Sequence, residues 1–209
     1  MRLLDLFCGA GGAAMGYYRA GFTDIVGVDN KPQSNYPFEF VQADALEYCR
    51  DNGHKFDVIH ASPPCQAYSW SAARWGRENY PDLVEITRRV IRGTLNPYII
   101  ENVRSAPLKA TLMLCGTMFN LGVIRHRYFE IYPIWLMMTT PCSHKGKVKE
   151  GDYVTVVGHG GDGSAKYKDW CKAMDIYWMT KKELTQAIPP AYTEWIGRRI
   201  IEYDKSSPL

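Results

Sequence analysis

The feature that most constrains the fold of this 209-residue chain is its beginning, where a strand signal runs directly into a glycine-rich turn. Arg2–Phe7 is predicted to be a short apolar strand, and the turn Cys8–Gly12 after it holds three glycines. Ala13–Ala20 is then predicted to be a helix that Gly21 closes. Such a turn lets the backbone approach a ligand closely while the helix amides face it. The beginning therefore indicates a nucleotide-type site, although a turn of this composition can also be tight for packing reasons alone.

Strand and helix signals continue to alternate through the first half of the chain. Further strands are predicted over Asp24–Val28, Phe38–Gln42, Phe56–Ala61 and Tyr98–Glu101. A short helix follows Asp44, and a longer one opens at Pro81 and runs through Gly93. Alternation of this kind is typical of the α/β class, so we expect a doubly wound, mostly parallel sheet with helices on both faces.

The second half of the chain is less regular and rich in glycine. Strands are predicted at Phe129–Ile134 and Tyr153–Val157, and helices at Asp169–Met174, Lys181–Gln186 and Tyr192–Tyr203. The sequence shows no internal repeat and no low-complexity tract in either half.

Composition and charge narrow the class of protein. Hydrophobic residues make up 46% and charged residues 22%, which excludes a largely disordered chain. No apolar run approaches the roughly 18 residues of a membrane span, so we expect a soluble intracellular protein. Residues 70–127 carry nine basic and four acidic side chains, and arginine suits contacts to phosphates and base edges. For Arg88, Arg89 and Arg92 a solvated helix face is an equally good interpretation.

The six cysteines show no CxxC spacing, which favours free thiols in a reducing compartment. Cys142 and His144 could be combined with His159 and Cys171 into a zinc site. That spacing fits no common zinc pattern, so we predict no metal site.

Two acidic residues strengthen the nucleotide-type site. Asp29 lies at the end of the second strand, where a carboxylate can accept hydrogen bonds from both hydroxyls of a ribose. Asp44 follows the third strand, where it can accept from an exocyclic amine. Because no phosphate-binding lysine accompanies the turn, a neutral nucleoside-like ligand is favoured over a dinucleotide, which indicates S-adenosylmethionine.

Two further positions could carry chemistry. Cys65 follows Ser62-Pro63-Pro64, and the prolines stiffen the exit from the fourth strand. An isolated cysteine is usually a small core residue, but the prolines before Cys65 and the polar stretch after it favour a nucleophile. Glu101 closes a buried strand and needs a partner, which Arg125-His126-Arg127 can supply. An internal salt bridge without chemistry is the alternative for Glu101.

Four motifs in this order resemble those of the C5-cytosine-specific DNA methyltransferase family. They are Asp5-Leu6-Phe7-Cys8-Gly9-Ala10-Gly11-Gly12, Pro64-Cys65-Gln66, Glu101-Asn102-Val103 and Arg125-His126-Arg127. Each motif is modest singly, but the series is specific and covers about residues 1–130. The resemblance is to a small, phage-like member and implies a Rossmann-like, S-adenosylmethionine-binding sheet with a very small target-recognition region.

The resemblance implies a role for each matching residue. The cofactor-binding residues would be Phe7, Gly9, Ala10, Gly11, Gly12, Asp29, Asn30, Asp44, Ala45 and Pro63. Asp29 would hold the ribose and Asp44 the adenine amine. Cys65 would be the nucleophile, Glu101 would contact cytosine N3, and Arg127 would lie near O2. Arg125 matches the first arginine of the same motif.

The resemblance also implies an activity. The chain would transfer a methyl group from S-adenosylmethionine to C5 of cytosine in double-stranded DNA through a covalent Cys65 adduct, in the cytoplasm of a bacterial or phage-infected cell. A stacked base is out of reach, so the cytosine must be flipped out, and Ala67–Asn79 is expected to be a mobile loop that closes on the DNA. Two alternatives remain: the same chemistry on tRNA, and a non-catalytic S-adenosylmethionine-binding regulator.

Departures from the family pattern lie in the second half of the chain. Val123 stands where the family usually has a glutamine, and residues 187–197 replace a Gly-Asn-rich segment that returns to the cofactor. We divide the chain into a catalytic domain (1–135), a reduced target-recognition region (136–180) and a returning C-terminal segment (181–209). Because Gly146–Lys168 can form only a small recognition element, a partner protein could supply specificity. The sequence does not predict the oligomeric state.

Overall fold

The computed structural model describes residues 1–68, 82–109, 111–133, 139–146, 148–157 and 165–206. The strands in these ranges are β1 (Arg2–Leu6), β2 (Asp24–Asp29), β3 (Glu39–Gln42), β4 (Val58–Ala61), β5 (Tyr98–Asn102), β6 (Thr111–Leu114) and β7 (Arg127–Tyr132). The helices are α1 (Gly12–Ala20), α2 (Ala45–Asn52), α3 (Val84–Arg92), α4 (Tyr167–Met174), α5 (Lys181–Gln186) and α6 (Pro190–Ser206). None of these helices is both long enough and apolar enough to cross a membrane.

The seven strands form one sheet in the order β3-β2-β1-β4-β5-β7-β6. Strands β1 to β5 pair in parallel, whereas β7 runs antiparallel to both β5 and β6. The chain order reverses between β1 and β4 at the centre, and open α/β sheets bind ligands outside the carboxyl ends of the strands at such a point. The predicted doubly wound, mostly parallel sheet is confirmed.

Helices cover both faces of the sheet. Alternate residues of a strand point to opposite faces, so Leu3 of β1 packs in one core with Tyr17 of α1 and Ile196 of α6. Leu4 packs in a second core with Ile91 of α3. Burial on both faces explains why the central strands are continuous apolar runs rather than alternating ones.

Helices α1 and α6 approach each other closely because a glycine occupies their contact. A Cβ atom at Gly16 would lie 2.1 Å from the Pro190 carbonyl oxygen and 2.1 Å from Thr193 Oγ1. Thr193 Oγ1 donates a hydrogen bond of 2.8 Å to the Ala13 carbonyl. The C-terminal helix is thereby held against the helix that follows the glycine-rich turn.

The second half of the chain departs from the sequence prediction at two strands. The predicted strand Tyr153–Val157 is wrong, because only Val154 makes a bridge there, an isolated one to Val123. The edge strand β6 was not predicted, since it is four residues long and pairs only with β7. Strand β7 begins at Arg127, two residues before its predicted start.

Arg88 is neither a DNA contact nor part of a solvated helix face, and both interpretations of this residue are wrong. Its side chain is 2% exposed and forms a forked pair with Glu130, from Nε to Oε1 at 2.7 Å and from Nη2 to Oε2 at 2.6 Å. It also pairs with Glu85 and donates to the Pro107 carbonyl. Arg89 and Arg92, on the same helix, are exposed.

Asp5 of β1 gives stability a specific dependence on pH. It is fully buried, and burial raises the pKa of its carboxyl to about 8, although a hydrogen bond of 3.5 Å from Tyr36 acts in the opposite direction. Because the pKa is raised on folding, the contribution of Asp5 to stability is complete below about pH 4 and is lost as the pH rises towards 8.

We therefore expect Asp5→Asn, which mimics the protonated acid, to gain stability relative to the wild type as the pH rises. The difference in free energy of unfolding should grow by at least ~1 kcal/mol between pH 5 and pH 8. Urea denaturation at a series of pH values measures it, with the exposed Asp51→Asn of α2 as the control. A difference that does not change with pH would show that Asp5 is ionised throughout.

Candidate active site

The parallel pairing of β1 to β5 brings the predicted site residues to one edge of the sheet. The glycine-rich turn follows β1, Asp29 ends β2, and Asp44 follows β3. Cys65 follows β4, and Glu101 is the next-to-last residue of β5. Since the carboxyl ends of parallel strands share an edge, segments far apart in the sequence line one crevice.

The glycine-rich turn is built from left-handed backbone conformations. Phe7, Gly9 and Gly11 have φ angles of 56°, 49° and 82°. A Cβ atom at Gly9 would meet no heavy atom within 4 Å, so this position faces open space. Helix α1 begins at this turn with no side-chain cap and no acidic residue in its first turn. Its first amides therefore point towards the crevice with no partner from a capping side chain.

Asp29 links the end of β2 to the glycine-rich turn. The Gly9 amide donates to its Oδ2 at 3.2 Å, and the Lys31 amide donates to its Oδ1 at 3.0 Å. The carboxylate is half-buried, while Asn30 beside it is exposed. Asp29 is thus fixed beside the glycine-rich turn.

Asp44 has a structural role that the sequence analysis did not assign to it. It is the N-cap of α2, and its Oδ1 accepts hydrogen bonds from the Leu46 and Glu47 amides at 2.9 and 3.0 Å. The side chain is otherwise exposed, and Ala45 beside it is buried.

Cys65 lies on a segment that is fixed to both neighbouring strands. The Ser62 amide donates to the Leu6 carbonyl of β1, and Asn102 Nδ2 donates to the Pro63 carbonyl at 2.9 Å. Burial raises the pKa of the half-buried Cys65 thiol, the positive charge of Arg127 opposes this effect, and the charge of Glu101 adds to it. The resting cysteine is therefore mainly a thiol at neutral pH.

Glu101 is paired with the second arginine of the motif rather than the first. Arg127 Nε lies 3.0 Å from Glu101 Oε1, and the carboxylate is 6% exposed. Burial raises the pKa of Glu101, against the lowering effects of Arg127, Arg125 and a hydrogen bond with Ser62. Burial therefore favours the protonated form of this carboxyl, while the two arginines and Ser62 favour the ionised form.

A buried hydrogen-bonded chain leads to Glu101, and the sequence analysis did not identify it. The Tyr17 hydroxyl lies 3.1 Å from His60 Nδ1, and His60 Nε2 lies 3.0 Å from Ser62 Oγ. Ser62 in turn bonds to Glu101. Burial lowers the pKa of His60 to about 3, so its ring is neutral. The available signal was a histidine inside the otherwise apolar strand β4.

Arg125 is buried beside the site but is fixed by main-chain oxygens. It donates to the Val156 carbonyl and the Thr185 carbonyl, each at 2.8 Å. Its own carbonyl accepts from the Tyr192 hydroxyl at 2.5 Å. Arg125 therefore ties the second half of the chain to the edge of the sheet where Glu101 lies.

The C-terminal segment lies against the glycine-rich turn. A Cβ atom at Gly12 would come within 2.6 Å of the Ile188 carbonyl oxygen, and Trp178 Nε1 donates to the Ala10 carbonyl at 2.8 Å. The contact of Trp178 with the glycine-rich turn was not predicted, because no local sequence pattern indicates that Ala10 is its partner. Of the expected mobile loop, Ala67 and Tyr68 are described, and the rest lies outside the described residues.

Comparison with known proteins identifies relatives of this chain. A model of the C-5 cytosine-specific DNA methylase family matches residues 1–109. The Type II methyltransferase M.AquIA of Picosynechococcus sp. is 29% identical over 120 residues, which are 49% of this chain and 48% of that protein. M1.HphI of Haemophilus parahaemolyticus is 36% identical over 118 residues, 48% of this chain and 32% of that protein. The chain thus spans half or less of the length of these two relatives.

A shorter curated relative is matched over nearly its whole length. The Type II methyltransferase M.HgiGI of Herpetosiphon aurantiacus is 31% identical over 122 residues, which are 52% of this chain and 94% of that protein.

Solved structures share the fold at low identity. A prophage-encoded protein of E. coli, described as a DNA modification methyltransferase, has a TM-score of 0.67 at 13% identity and covers 99% of this chain and 100% of that one. The Entamoeba histolytica methyltransferase EhMeth has a TM-score of 0.61 at 14% identity, covering 100% and 99%. The family model that matches 1–109 and the near-complete match to M.HgiGI show that the chain belongs to the C-5 cytosine-specific DNA methylase family.

Proposed function

We propose that this chain is a DNA (cytosine-5-)-methyltransferase that methylates a flipped-out cytosine in double-stranded DNA. The observation that carries the proposal is the convergence of Cys65, Glu101 and Arg127 beside the glycine-rich turn, with Arg127 3.0 Å from Glu101. A nucleophile, a carboxyl with a raised pKa and a fixed cation are the groups that addition to a pyrimidine ring requires.

The turn and the acids beside it fit S-adenosylmethionine. Asp29 would accept from the ribose hydroxyls and Asp44 from the adenine amine, while the uncapped amides of α1 suit the methionine carboxylate. Phe7, Ala10 and Pro63, at the ends of β1 and β4, would enclose the rest. When bound, the cofactor supplies an electrophilic methyl group on a sulfonium.

The chain's own residues would activate the base. The Cys65 thiolate adds to C6 of cytosine, and the electron pair displaced from the C5–C6 bond makes C5 nucleophilic. Glu101 donates a proton to N3 as negative charge develops there, and Arg127 holds Glu101 in place and contacts O2. After methylation a base removes the C5 proton, the C6–S bond breaks to release Cys65, and N3 returns its proton to Glu101.

The second half of the chain would contact the DNA. The region 136–180 is the candidate for target recognition. Because this region is small, a partner protein could supply part of the sequence specificity. A DNA substrate would be met in the cytoplasm of a bacterial or phage-infected cell.

Transfer of a labelled methyl group tests the proposal. The purified chain is incubated with labelled S-adenosylmethionine and either duplex DNA or tRNA, and the nucleosides are separated after digestion. We expect label in 5-methyldeoxycytidine from DNA alone. Label in 5-methylcytidine from tRNA would identify an RNA methyltransferase, and cofactor binding without transfer to either would identify a regulator.

The two acids should contribute separately to cofactor affinity. Asp29→Ala and Asp44→Ala are each expected to weaken S-adenosylmethionine binding by about 1–3 kcal/mol, as for lost hydrogen bonds to a charged group. Asp44→Ala should also destabilise the protein by ~1 kcal/mol through loss of the α2 cap. Titration calorimetry and thermal unfolding measure the two effects.

Asp44→Ser separates the ligand contact from the cap. Serine keeps a capping oxygen but shortens the side chain, so affinity should fall while stability stays near the wild-type value. The exposed Asp51→Ala of α2 serves as the control. Unchanged affinity in both Asp29→Ala and Asp44→Ser would place the cofactor elsewhere.

A further inference from the structure

Two cysteines and two histidines cluster beside the arginine motif. They are Cys115, His126, Cys142 and His144, and their ligand atoms all lie within 4.8 Å of one another. Cys115 Sγ is 3.5 Å from His144 Nε2, and His126 Nε2 is 3.4 Å from Cys142 Sγ. This Cys2His2 cluster lies outside the set of residues that the proposed methyl transfer uses.

Two sulfur–nitrogen distances in the cluster have the length expected in a tetrahedral metal site. With zinc–sulfur bonds of about 2.3 Å and zinc–nitrogen bonds of about 2.0–2.1 Å, the sulfur and nitrogen corners of a tetrahedron are about 3.5 Å apart. Two of the four sulfur–nitrogen distances in the Cys2His2 cluster, at 3.5 and 3.4 Å, match this value. Two thiolates and two imidazoles in a tetrahedron are typical of structural zinc.

The β6–β7 pairing builds half of the Cys2His2 cluster. Leu114 of β6 pairs with Arg127 of β7, so one further step in the same antiparallel register sets Cys115 opposite His126. Side chains directly opposite in such a pair lie about 4.5–5.5 Å apart at Cβ. The other half comes from Cys142 and His144, on the segment that follows β7. The four ligands are therefore gathered by tertiary structure, which explains why their sequence spacing fits no common zinc pattern.

The surroundings of the cluster suit a bound metal. Cys115 is buried and the Thr117 hydroxyl donates to its Sγ at 3.5 Å, as outer partners of metal thiolates do. His126 and Cys142 are half-buried, and His144 is exposed, so an ion can enter from the His144 side.

We propose that Cys115, His126, Cys142 and His144 bind one zinc ion that fastens the segment after β7 to the start of β7, next to Arg127. Each cysteine loses its thiol proton to solvent as its zinc–sulfur bond forms, so the two thiolates neutralise the dication. The zinc ion would thereby hold in place the segment after β7, which has few secondary-structure elements. The proposal does not depend on the methyltransferase activity.

Metal content and cobalt spectroscopy test the proposal on the full chain. Protein purified without chelator should contain one zinc per chain by elemental analysis. Metal-free protein, prepared with chelator and reductant, should bind Co²⁺ with the intense visible bands of a tetrahedral, thiolate-ligated ion, and Zn²⁺ should abolish them. Cys142→Ala and His144→Ala should each lose these bands and the stoichiometric zinc.

Matched variants make the result specific. Cys171→Ala, a buried cysteine of α4 outside the cluster, should keep both signals. Thr117→Val should lower zinc affinity by about 10–100-fold while keeping the stoichiometry. Since His144 is exposed, circular dichroism of His144→Ala should match the wild type, which separates ligand loss from unfolding.

Three results would overturn the assignment. The first is protein without stoichiometric zinc whose Co²⁺ spectrum is not tetrahedral. The second is retention of both signals in Cys142→Ala and His144→Ala. The third is a mass 2 Da below that of the thiol form under non-reducing conditions, with a Cys115–Cys142 crosslink, which would make the cluster a disulfide site.

Discussion

Cys65→Ser is expected to reduce methyl transfer by at least ~10³-fold, as for removal of a catalytic nucleophile. A serine hydroxyl ionises far less readily than a thiol, whose ordinary pKa is near 8.5. S-adenosylmethionine binding should survive, because the glycine-rich turn and Asp29 make no hydrogen bond to Cys65 in the described part of the chain. Single-turnover methylation of duplex DNA and calorimetric titration of the cofactor measure the two properties.

A covalent trap and a matched control sharpen the test of Cys65. DNA containing 5-fluorocytosine cannot lose its C5 substituent as a proton, so the wild type should form a stable adduct and Cys65→Ser should not. Cys49→Ala, at a buried position of α2, should retain both turnover and trapping. Turnover of Cys65→Ser at the wild-type rate would show that another group adds to the base.

The raised pKa of Cys65 adds a dependence on pH. Burial favours the thiol, so the fraction of thiolate increases as the pH rises above neutrality. The single-turnover rate should therefore increase between pH 7 and pH 9. A rate that is constant over this range would indicate that DNA binding itself ionises the thiol.

The parts of the site that could be predicted are those with a local signal. Strands β1, β2, β4 and β5 are buried on both faces over most of their length and stand out as apolar runs. The residues at or just beyond the carboxyl ends of β1 to β5, among them Asp29, Cys65 and Glu101, share one edge because these strands are parallel. Strand β6 has no such signal, since it is short and lies at the edge of the sheet.

The pairing of Glu101 with Arg127 could not be predicted, because it depends on the register between β5 and β7, for which the sequence has no local signal. Glu101 pairs with Phe129 across β5 and β7, and Arg127 is two residues from Phe129 on the same face. Diagonal neighbours of this kind lie about 7–8 Å apart, within reach of an arginine. Arg125 precedes the strand and turns instead to the carbonyls of Val156 and Thr185. The Cys2His2 cluster could not be predicted for the same reason, because it depends on the pairing of β6 with β7.

The burial of the charged side chain of Arg88 likewise could not be predicted from the local sequence. Because Arg88 lies in a run of arginines, its side chain was expected to face solvent or to contact DNA. Its partner Glu130 is instead 42 residues away in the sequence and on a different element. The helical spacing of α3 places Arg88 near Thr87 and Ile91, which are also buried, and so on the side that faces the sheet. Glu130 lies on β7, beside the sheet face that α3 covers, and its carboxylate offsets the free-energy cost of burying the positive charge of Arg88.

Arg88→Met is therefore expected to destabilise the protein by about 3–5 kcal/mol, the cost of leaving one charge of a buried pair without its partner. Glu130, which is 4% exposed in the wild type, would keep the Tyr98 hydroxyl at 3.2 Å and the Lys109 amide at 2.8 Å as its donors among the described residues. Arg89→Met, at the exposed neighbouring position, should change stability by less than ~0.5 kcal/mol. Urea denaturation of the three proteins at neutral pH measures both differences.

A double variant decides whether the loss comes from the unpaired charge or from packing. Replacing Glu130 with glutamine in the Arg88→Met background removes the buried charge; the amide oxygen can still accept from the Lys109 amide, and the new NH2 group can donate to the Tyr98 hydroxyl oxygen. The double variant should recover part of the lost stability, a coupling of about 1–3 kcal/mol that contacting residues can show. If the two substitutions were simply additive, the guanidinium of Arg88 would stabilise the fold through its hydrogen bond to Pro107 and its packing, and the ion pair with Glu130 would contribute nothing.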